Sequence, residues 1–233
     1  TYENITVSLA ILDASFAVDI AVAESDERGW ASHLGMQATD HLRAAFAKME
    51  DELINGDNSG GFSALADELN ALADVMVEDA GGTTADTASS VYFVRSGIPD
   101  CHVVWGQNGE IAIGETVVQR LAGSTGTYPA YYTPITAWSG LQIGSTRSVG
   151  RIANITADSG KTLTDDLISS GLSNFPAGRG PSFMAMSRRS LTQLQQSRTA
   201  TNPSGSPAPF PSEAFGVPII VTDNIADIEA LVS

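Results

Sequence analysis

Between Asn4 and Val22 the chain alternates apolar and polar positions with a period of two. Asn4–Leu12 sets Ile5, Val7, Leu9 and Ile11 on one face, and Phe16–Val22 does the same with Phe16, Val18, Ile20 and Val22. Such alternation predicts half-buried β-strands, and Asp13-Ala14-Ser15 between them reads as a turn. The expected element is therefore a two-stranded hairpin. A hairpin alone is marginal in water, and nothing in the next stretch of sequence reads as its cover. The sequence points to an arm that docks on a neighbouring copy of the same chain, with its buried face drawn from these alternating residues.

From Trp30 the period changes to about 3.6 residues. Trp30, Leu34, Ala38, His41 with Leu42, Ala45 with Phe46, Met49 and Leu53 form one stripe, and Asn55-Gly56 supplies a stop. A helix of some 25 residues at about 1.5 Å each is a rod of roughly 37 Å. Glu50, Asp51 and Glu52 crowd its C-terminal end, where the helix dipole disfavours acids. Two readings follow: a solvated tip, or a contact with a basic patch elsewhere.

Beyond the rod, Leu65–Leu72 continues helically and Ala80–Thr84 reads as a loop. Strands are predicted over Val91–Arg95, His102–Trp105, Thr116–Leu121, Ala130–Trp138, Leu141–Ile143 and Val149–Ile155, with Gly and Pro between them. Thr162, with Asp165 in the capping-box partner position, is expected to open a helix over Leu163–Leu172. Pro181–Met186 reads as a buried strand, Ser187 as the cap of a helix to Arg198, and Val217–Thr222 as a last buried strand. The segment Thr199–Glu213, with its four prolines, reads as an exposed loop. No internal repeat is visible. The predicted class is α+β.

Composition narrows the function classes. At 233 residues, 42% hydrophobic and 17% charged, the chain suits one large domain or two tightly packed ones. No apolar run is long enough to cross a membrane, and no signal peptide opens the chain. It begins at Thr1 without a methionine, which raises the expectation of a longer precursor. The net charge of −15, with Lys48 and Lys161 as the only lysines, argues against gripping nucleic acid through phosphates. It is compatible with merely enclosing DNA. One cysteine, Cys101, excludes an internal disulfide and fits a reducing cytoplasm.

Motifs for catalysis or cofactors give little. Gly160-Lys161-Thr162 follows a strand and precedes a helix, but the first glycine of a phosphate loop would fall at Ile155, inside the strand. It is read as a helix start. Asp57-Asn58-Ser59-Gly60 resembles the beginning of a calcium loop and has Glu68 at the twelfth position, yet Phe62 stands where that loop needs glycine. It is read as a turn. His33 and His41 lie eight apart, so they lack the i, i+4 spacing of a metal pair, and adjacent Cys101 and His102 point to opposite faces of a strand. Tyr128, Tyr131, Tyr132 and Trp138 lack flanking basic residues, so packing or a subunit interface is read over base stacking. No catalytic, cofactor or metal residues are expected.

Several segments in order resemble the major capsid proteins of tailed bacteriophages with the Hong Kong 97 type fold. They are Lys48-Met49-Glu50-Asp51-Glu52-Leu53-Ile54-Asn55-Gly56-Asp57 followed by Phe62 and Leu65-Ala66; Ser89-Ser90-Val91-Tyr92-Phe93-Val94-Arg95-Ser96-Gly97; Trp138-Ser139-Gly140-Leu141; Val149-Gly150-Arg151-Ile152-Ala153-Asn154-Ile155; Phe183-Met184-Ala185-Met186-Ser187-Arg188; and Phe215-Gly216-Val217-Pro218-Ile219, leading to Thr222-Asp223-Asn224-Ile225 and a closing Glu229-Ala230-Leu231-Val232. The ending looks like a native C-terminus.

The resemblance implies an extended hairpin loop, a long spine helix, a peripheral domain and an axial domain. Residues 1–28 would be an N-terminal arm remnant and the extended loop, 29–160 the spine helix and peripheral sheets, 161–222 the axial domain, and 223–233 a return segment. It implies a non-enzymatic head protein that assembles, in the host bacterial cytoplasm, into pentamers and hexamers of an icosahedral virion shell enclosing double-stranded DNA. Portal, scaffolding or decoration proteins would be partners. Some relatives weld subunits through a lysine in the extended loop; this arm has none, so that bond is not expected. The same fold serves encapsulins, protein shells around an enzyme cargo, and from a different class a small acidic hydrolase stays open.

Overall fold

The structure is a computed structural model that describes residues 6–59, 61–106, 109–123, 126–203 and 205–233. In chain order it has β1 (Ala10–Asp13), β2 (Phe16–Asp19), α1 (Ile20–Glu24), α2 (Trp30–Asn55), α3 (Leu65–Glu68), β3 (Val77–Asp79), β4 (Ser89–Val94), β5 (Cys101–Trp105) and β6 (Ala112–Ile113). There follow β7 (Val117–Gly123), β8 (Gly126–Thr133), β9 (Ile135–Ile143), β10 (Val149–Ile155), α4 (Asp165–Ser173), β11 (Phe183–Met186), α5 (Arg188–Ala200), β12 (Glu213–Ala214) and β13 (Val217–Val221).

A six-stranded sheet in the order β12-β13-β11-β4-β10-β3 carries the main core. Every residue of β4 and β10 is buried, as expected of central strands covered on both faces. On one face α4 comes so close that a Cβ on Gly171 would lie 2.8 Å from Phe93 Cε2. Tyr92, pointing the other way by the period of two, lies under the Arg151 guanidinium at 5.3 Å. The sheet takes strands from both sides of residue 160, because strand pairing joins segments distant in sequence.

Two further sheets form a bent antiparallel ribbon. In one, β9 lies between β1 and β5, with β6 also on β9; in the other, β8 lies between β2 and β7. The bend is where β8 passes into β9 at Pro134, which has no N–H for a strand ladder. Beside it the chain passes from β1 to β2: Asp13 Oδ1 accepts the Ser15 N–H at 2.8 Å, Ala14 N donates to Ile135 O at 2.8 Å, and Ile135 N donates to Ser15 Oγ at 3.0 Å.

This corrects the expected N-terminal hairpin. The two segments are strands over part of their length, but β1 pairs with β9 and β2 with β8, not with each other. Their cover is the chain's own: Ala14 and Phe16 meet Leu34 and Ala45 of α2 and Ile135 of β9, with Leu12 and Val18 packed alongside. Ile20 and Val22 belong to helix α1, because Asp19 caps it by accepting the Ala21 N–H at 2.8 Å. The predicted single strand Ala130–Trp138 is likewise two strands, divided at Pro134.

The long helix α2 runs over Trp30–Asn55, and Gly56 closes it with its N–H on Glu52 O. Its C-terminal acids meet neither bulk water alone nor a basic patch. Glu50 Oε1 accepts the Thr222 hydroxyl at 2.5 Å, Glu52 Oε1 accepts the Phe62 N–H at 3.2 Å, and Asp51 takes Lys48 Nζ at 2.7 Å. Ser187 caps α5 as its sequence predicts. Helix α4 starts later than expected, capped by Thr164 and not Thr162, and α3 is one turn only.

The C-terminal segment returns across the six-stranded sheet. Asn154 Nδ2 donates to Val232 O at 3.1 Å while Val232 N donates to Asn154 Oδ1 at 2.9 Å. Arg151 Nη2 meets Glu229 Oε2 at 2.9 Å, and Arg189 donates to Asp227 O at 3.0 Å.

Candidate assembly surfaces

The N-terminal residues expected to form one interface face are divided by the fold. Phe16 is buried, 4% exposed, and with Val18 serves the small core under α2. Val7 and Ile20 are half-buried. Leu9, Ile11 and Val22 face outward, at 37%, 57% and 53% exposure. Ile5 lies outside the described residues. Residues 7–9 cross β9 where Gly140 has no side chain: a Cβ there would lie 2.5 Å from Ser8 O. Ile11 pairs with Trp138 and yet points its side chain away from the core, so the outward set is Leu9, Ile11 and Val22.

Strands were expected at Thr116–Leu121 and from Ala130, but their pairing into an exposed β7–β8 hairpin was not. Its strands pair from Val117↔Tyr132 to Gly123↔Gly126. Strand β2 backs β8 only along Ala130–Thr133, so beyond Ala130 the hairpin is a two-stranded ribbon. All of β7 except Leu121 is exposed, with Val117 at 43% and Val118 at 60%. Tyr131 at its root stacks on Trp30 of α2 with centroids 5.4 Å apart. The available signal was a paired Val117-Val118 in a run whose single charge is Arg120. Phe215 is a second outward aromatic, 61% exposed and held at φ 52° with Gly216 at φ 76° in the two-residue turn between β12 and β13.

The titratable groups are arranged for holding the fold together. Asp100 accepts from Arg95, from Ser148 Oγ at 3.0 Å and from Arg179 Nη2 at 3.3 Å. The Arg95 hydrogen bond, the Ser148 hydroxyl and the nearby arginine charges hold its carboxyl below the usual range, against an opposing effect of burial. Arg151 donates to Ser90 Oγ at 2.9 Å and to Leu69 O at 3.0 Å besides its pairing with Glu229. Burial, with the Asp100 charge adding to it, pushes the Cys101 thiol up to about 11, the opposite of what activates a nucleophile.

The tempting motifs resolve into turns. Lys161 N donates to Asp158 O and Thr156 N to Lys161 O, both at 3.0 Å, which closes the loop after β10. Asp57 Oδ1 accepts the Ser59 N–H at 2.9 Å with Asn58 at φ 62°; Gly60 lies outside the described residues. His33 Nδ1 is 2.9 Å from Asp26 Oδ2, and the His41 ring lies 5.4 Å from that of Phe16. Among the described residues no cluster of three or more His, Cys, Asp or Glu could hold a metal, and no helix is long and apolar enough to cross a membrane.

An apolar cleft of about 450 Å³ lies where the end of α2 meets both large sheets, lined by Leu53, Phe183, Ala185, Ile220, Cys101 and His102 among others. Glu50, Ser96 and Thr222 line it too, with Glu50 engaged by the Thr222 hydroxyl.

A sequence model of the family described as Major capsid protein GP7 matches residues 1–233. The chain belongs to that family. No curated protein sequence matches it. The major capsid protein aligns with a near-atomic structure of bacteriophage epsilon15 at a TM-score of 0.67 and 15% identity, over 99% of this chain and 75% of that one. A procapsid structure of bacteriophage JBD30 aligns at a TM-score of 0.43 and 8% identity, over 94% and 76%. The fold is the Hong Kong 97 type: a long spine helix, antiparallel sheets beside it and a mixed sheet with its own helices. The protein is a major capsid protein, a subunit of the virion shell.

Proposed function

We propose that copies of this capsid protein form pentamers and hexamers that close into an icosahedral shell around packaged double-stranded DNA. The observation that carries this reading is the agreement of family and fold over the whole chain. The net charge of −15 supports enclosure without gripping, since a wall of the same sign as the polymer lets it slide. Each contact between subunits is modest. Detachment requires several to break at once, which multiplies their effect.

In this reading residues 1–28 are the arm remnant and extended-loop region, with Leu9, Ile11 and Val22 as its contact residues toward neighbouring copies. Residues 29–160 supply the spine helix and peripheral sheets. Residues 161–222 supply the axial domain, its strands completed by β3, β4 and β10, and residues 223–233 return across it. Assembly takes place in the host bacterial cytoplasm, with portal, scaffolding or decoration proteins as further partners. The shell does its work mechanically and without catalysis.

Electron microscopy of the purified protein, with light scattering on the same sample, tests the proposal. The expected result is closed particles tens of nanometres across that protect nucleic acid from nuclease. Particles filled with an enzyme cargo would move the protein to the encapsulin class. A compact monomer that hydrolyses a substrate would overturn the shell reading.

A further inference from the structure

The outer half of the β7–β8 hairpin has no partner within its own chain. Past Ala130 it is a two-stranded ribbon, and such ribbons are marginal in water without a surface to lie on. Strand β7 pairs only with β8, so its outer edge is open along Val117–Gly123. Proteins that keep such edges apart place proline, lysine or a bulge on them. Strand β7 has no proline and no lysine, and its one charge is Arg120: it reads Val-Val-Gln-Arg-Leu-Ala-Gly.

Charge says what covers it. The protein has 27 acidic residues against 12 Lys and Arg, so two copies brought together repel unless an acid-free element meets an acidic one. Residues 116–133 contain no acid and a single charge, Arg120. The exposed loop residue Arg28 and the exposed helical Arg43 and Arg188 lie within 4.0 Å of a carboxylate. Arg120, like Arg147 and Lys161, lies in no ion pair among the described residues, and it is the one of the three that stands on an open strand edge. A symmetric antiparallel pairing of two β7 edges centred on Arg120 would set that residue against its own copy. A contact between unlike surfaces, ribbon against acidic patch, avoids that repulsion and joins opposite charges.

Resting on the shell reading, we propose that the β7–β8 ribbon docks on an acidic surface of a second copy, with Arg120 as its charged anchor and Val118 beside it. The contact joins neighbouring subunits through an element that the N-terminal arm does not supply.

The test uses the full chain with a benzophenone side chain in place of Val118, irradiated in assembled particles. The expected product has twice the subunit mass, with the cross-link mapping to an Asp- or Glu-containing peptide of the second copy. In parallel, Arg120→Glu should leave the circular dichroism and melting temperature unchanged and reduce particle yield roughly tenfold or more, as like-charge juxtaposition does at interfaces, while Arg120→Lys assembles. Closed particles with only intrachain cross-links, or full yield from Arg120→Glu, overturn the ribbon contact and leave the shell standing. A wild-type chain that stays monomeric and gives no cross-link overturns both. Should Arg120→Glu fail to fold, the cross-link decides alone.

Discussion

Glu50, in the last turn and a half of the spine helix, accepts the hydroxyl hydrogen bond of Thr222 at 2.5 Å, across 172 positions of chain. Asn55 adds a second tie one turn on, donating to Asn224 O at 2.8 Å. Together they fix the end of the rod to the last strand of the six-stranded sheet, beside the apolar cleft. Thr222→Val keeps the shape and removes the donor. The expected cost is about 1–2 kcal/mol, read as a melting temperature lower by roughly 2–8 °C for a chain of this size. Amide exchange should quicken at Leu53 and Ile54 and stay unchanged in β10.

The N-terminal residues divide into two classes by burial. Ile11→Asp and Val22→Asp place a charge on exposed positions and should change stability by no more than about 0.5 kcal/mol. In the proposed contact role, the pair together should leave folded subunits that do not complete shells. Phe16→Asp should instead unfold the region under α2, costing more than about 3 kcal/mol. Denaturation curves and particle yields, measured side by side, separate the two classes.

The C-terminal segment is held by a buried ion pair. The side chains of Arg151 and Glu229 are 6% and 14% exposed and meet at 2.9 Å, with Ser90 Oγ donating to the same Glu229 oxygen at 2.6 Å. Glu229→Ala leaves the guanidinium buried without its counter-charge, and about 3–5 kcal/mol should be lost. Urea unfolding measures that loss. Limited proteolysis should cut first after residue 223, because the return segment loses its central anchor.

Acid should weaken the fold through Asp100. The Arg95 hydrogen bond lowers its folded carboxyl below the unfolded value near about 3.9. Between those two values the unfolded chain binds the extra proton, so stability rises with pH there. The contribution is complete above the unfolded value and is lost as the pH falls through the folded one. Urea midpoints should therefore drop below about pH 4. Asp100→Asn should flatten that drop and lower stability at neutral pH.

Cys101, at 4% exposure and with its thiol pushed up to about 11, should react with thiol reagents at pH 8 only as fast as the fold opens. The labelling rate should climb steeply across the urea transition. Rapid labelling of the native protein would contradict the burial of β5 at its first residue.

Much of the local structure was legible in the sequence. Strand β10 falls on Val149–Ile155 as predicted, the spine helix starts at Trp30 and closes at Gly56, and Ser187 caps α5. These are readings of local chemistry: side-chain period, capping oxygens and glycine stops act within a few residues. Where two local signals competed, the sequence was ambiguous. Thr162 and Thr164 are both good caps, and only the second has its hydroxyl on a free amide, Leu167 N at 3.3 Å. In Phe16–Val22 the alternation runs on through Ile20 and Val22, yet Asp19 ends the strand by capping α1.

The sequence by itself determined where most strands and helices lie and, through its ordered motifs, the capsid family. It left open which strands meet. Alternation reports that one face of a strand is buried and carries no mark of the partner, which here lies more than a hundred residues away: Phe16 faces Thr133 and Ile11 faces Trp138. Tertiary structure alone therefore decided that Phe16 belongs to the protein's own core, that Ile11 looks outward, and that the free ribbon is β7–β8. The physical reason is that the hydrophobic effect rewards any sufficient cover, whereas choosing one cover among several requires the whole chain to be in place.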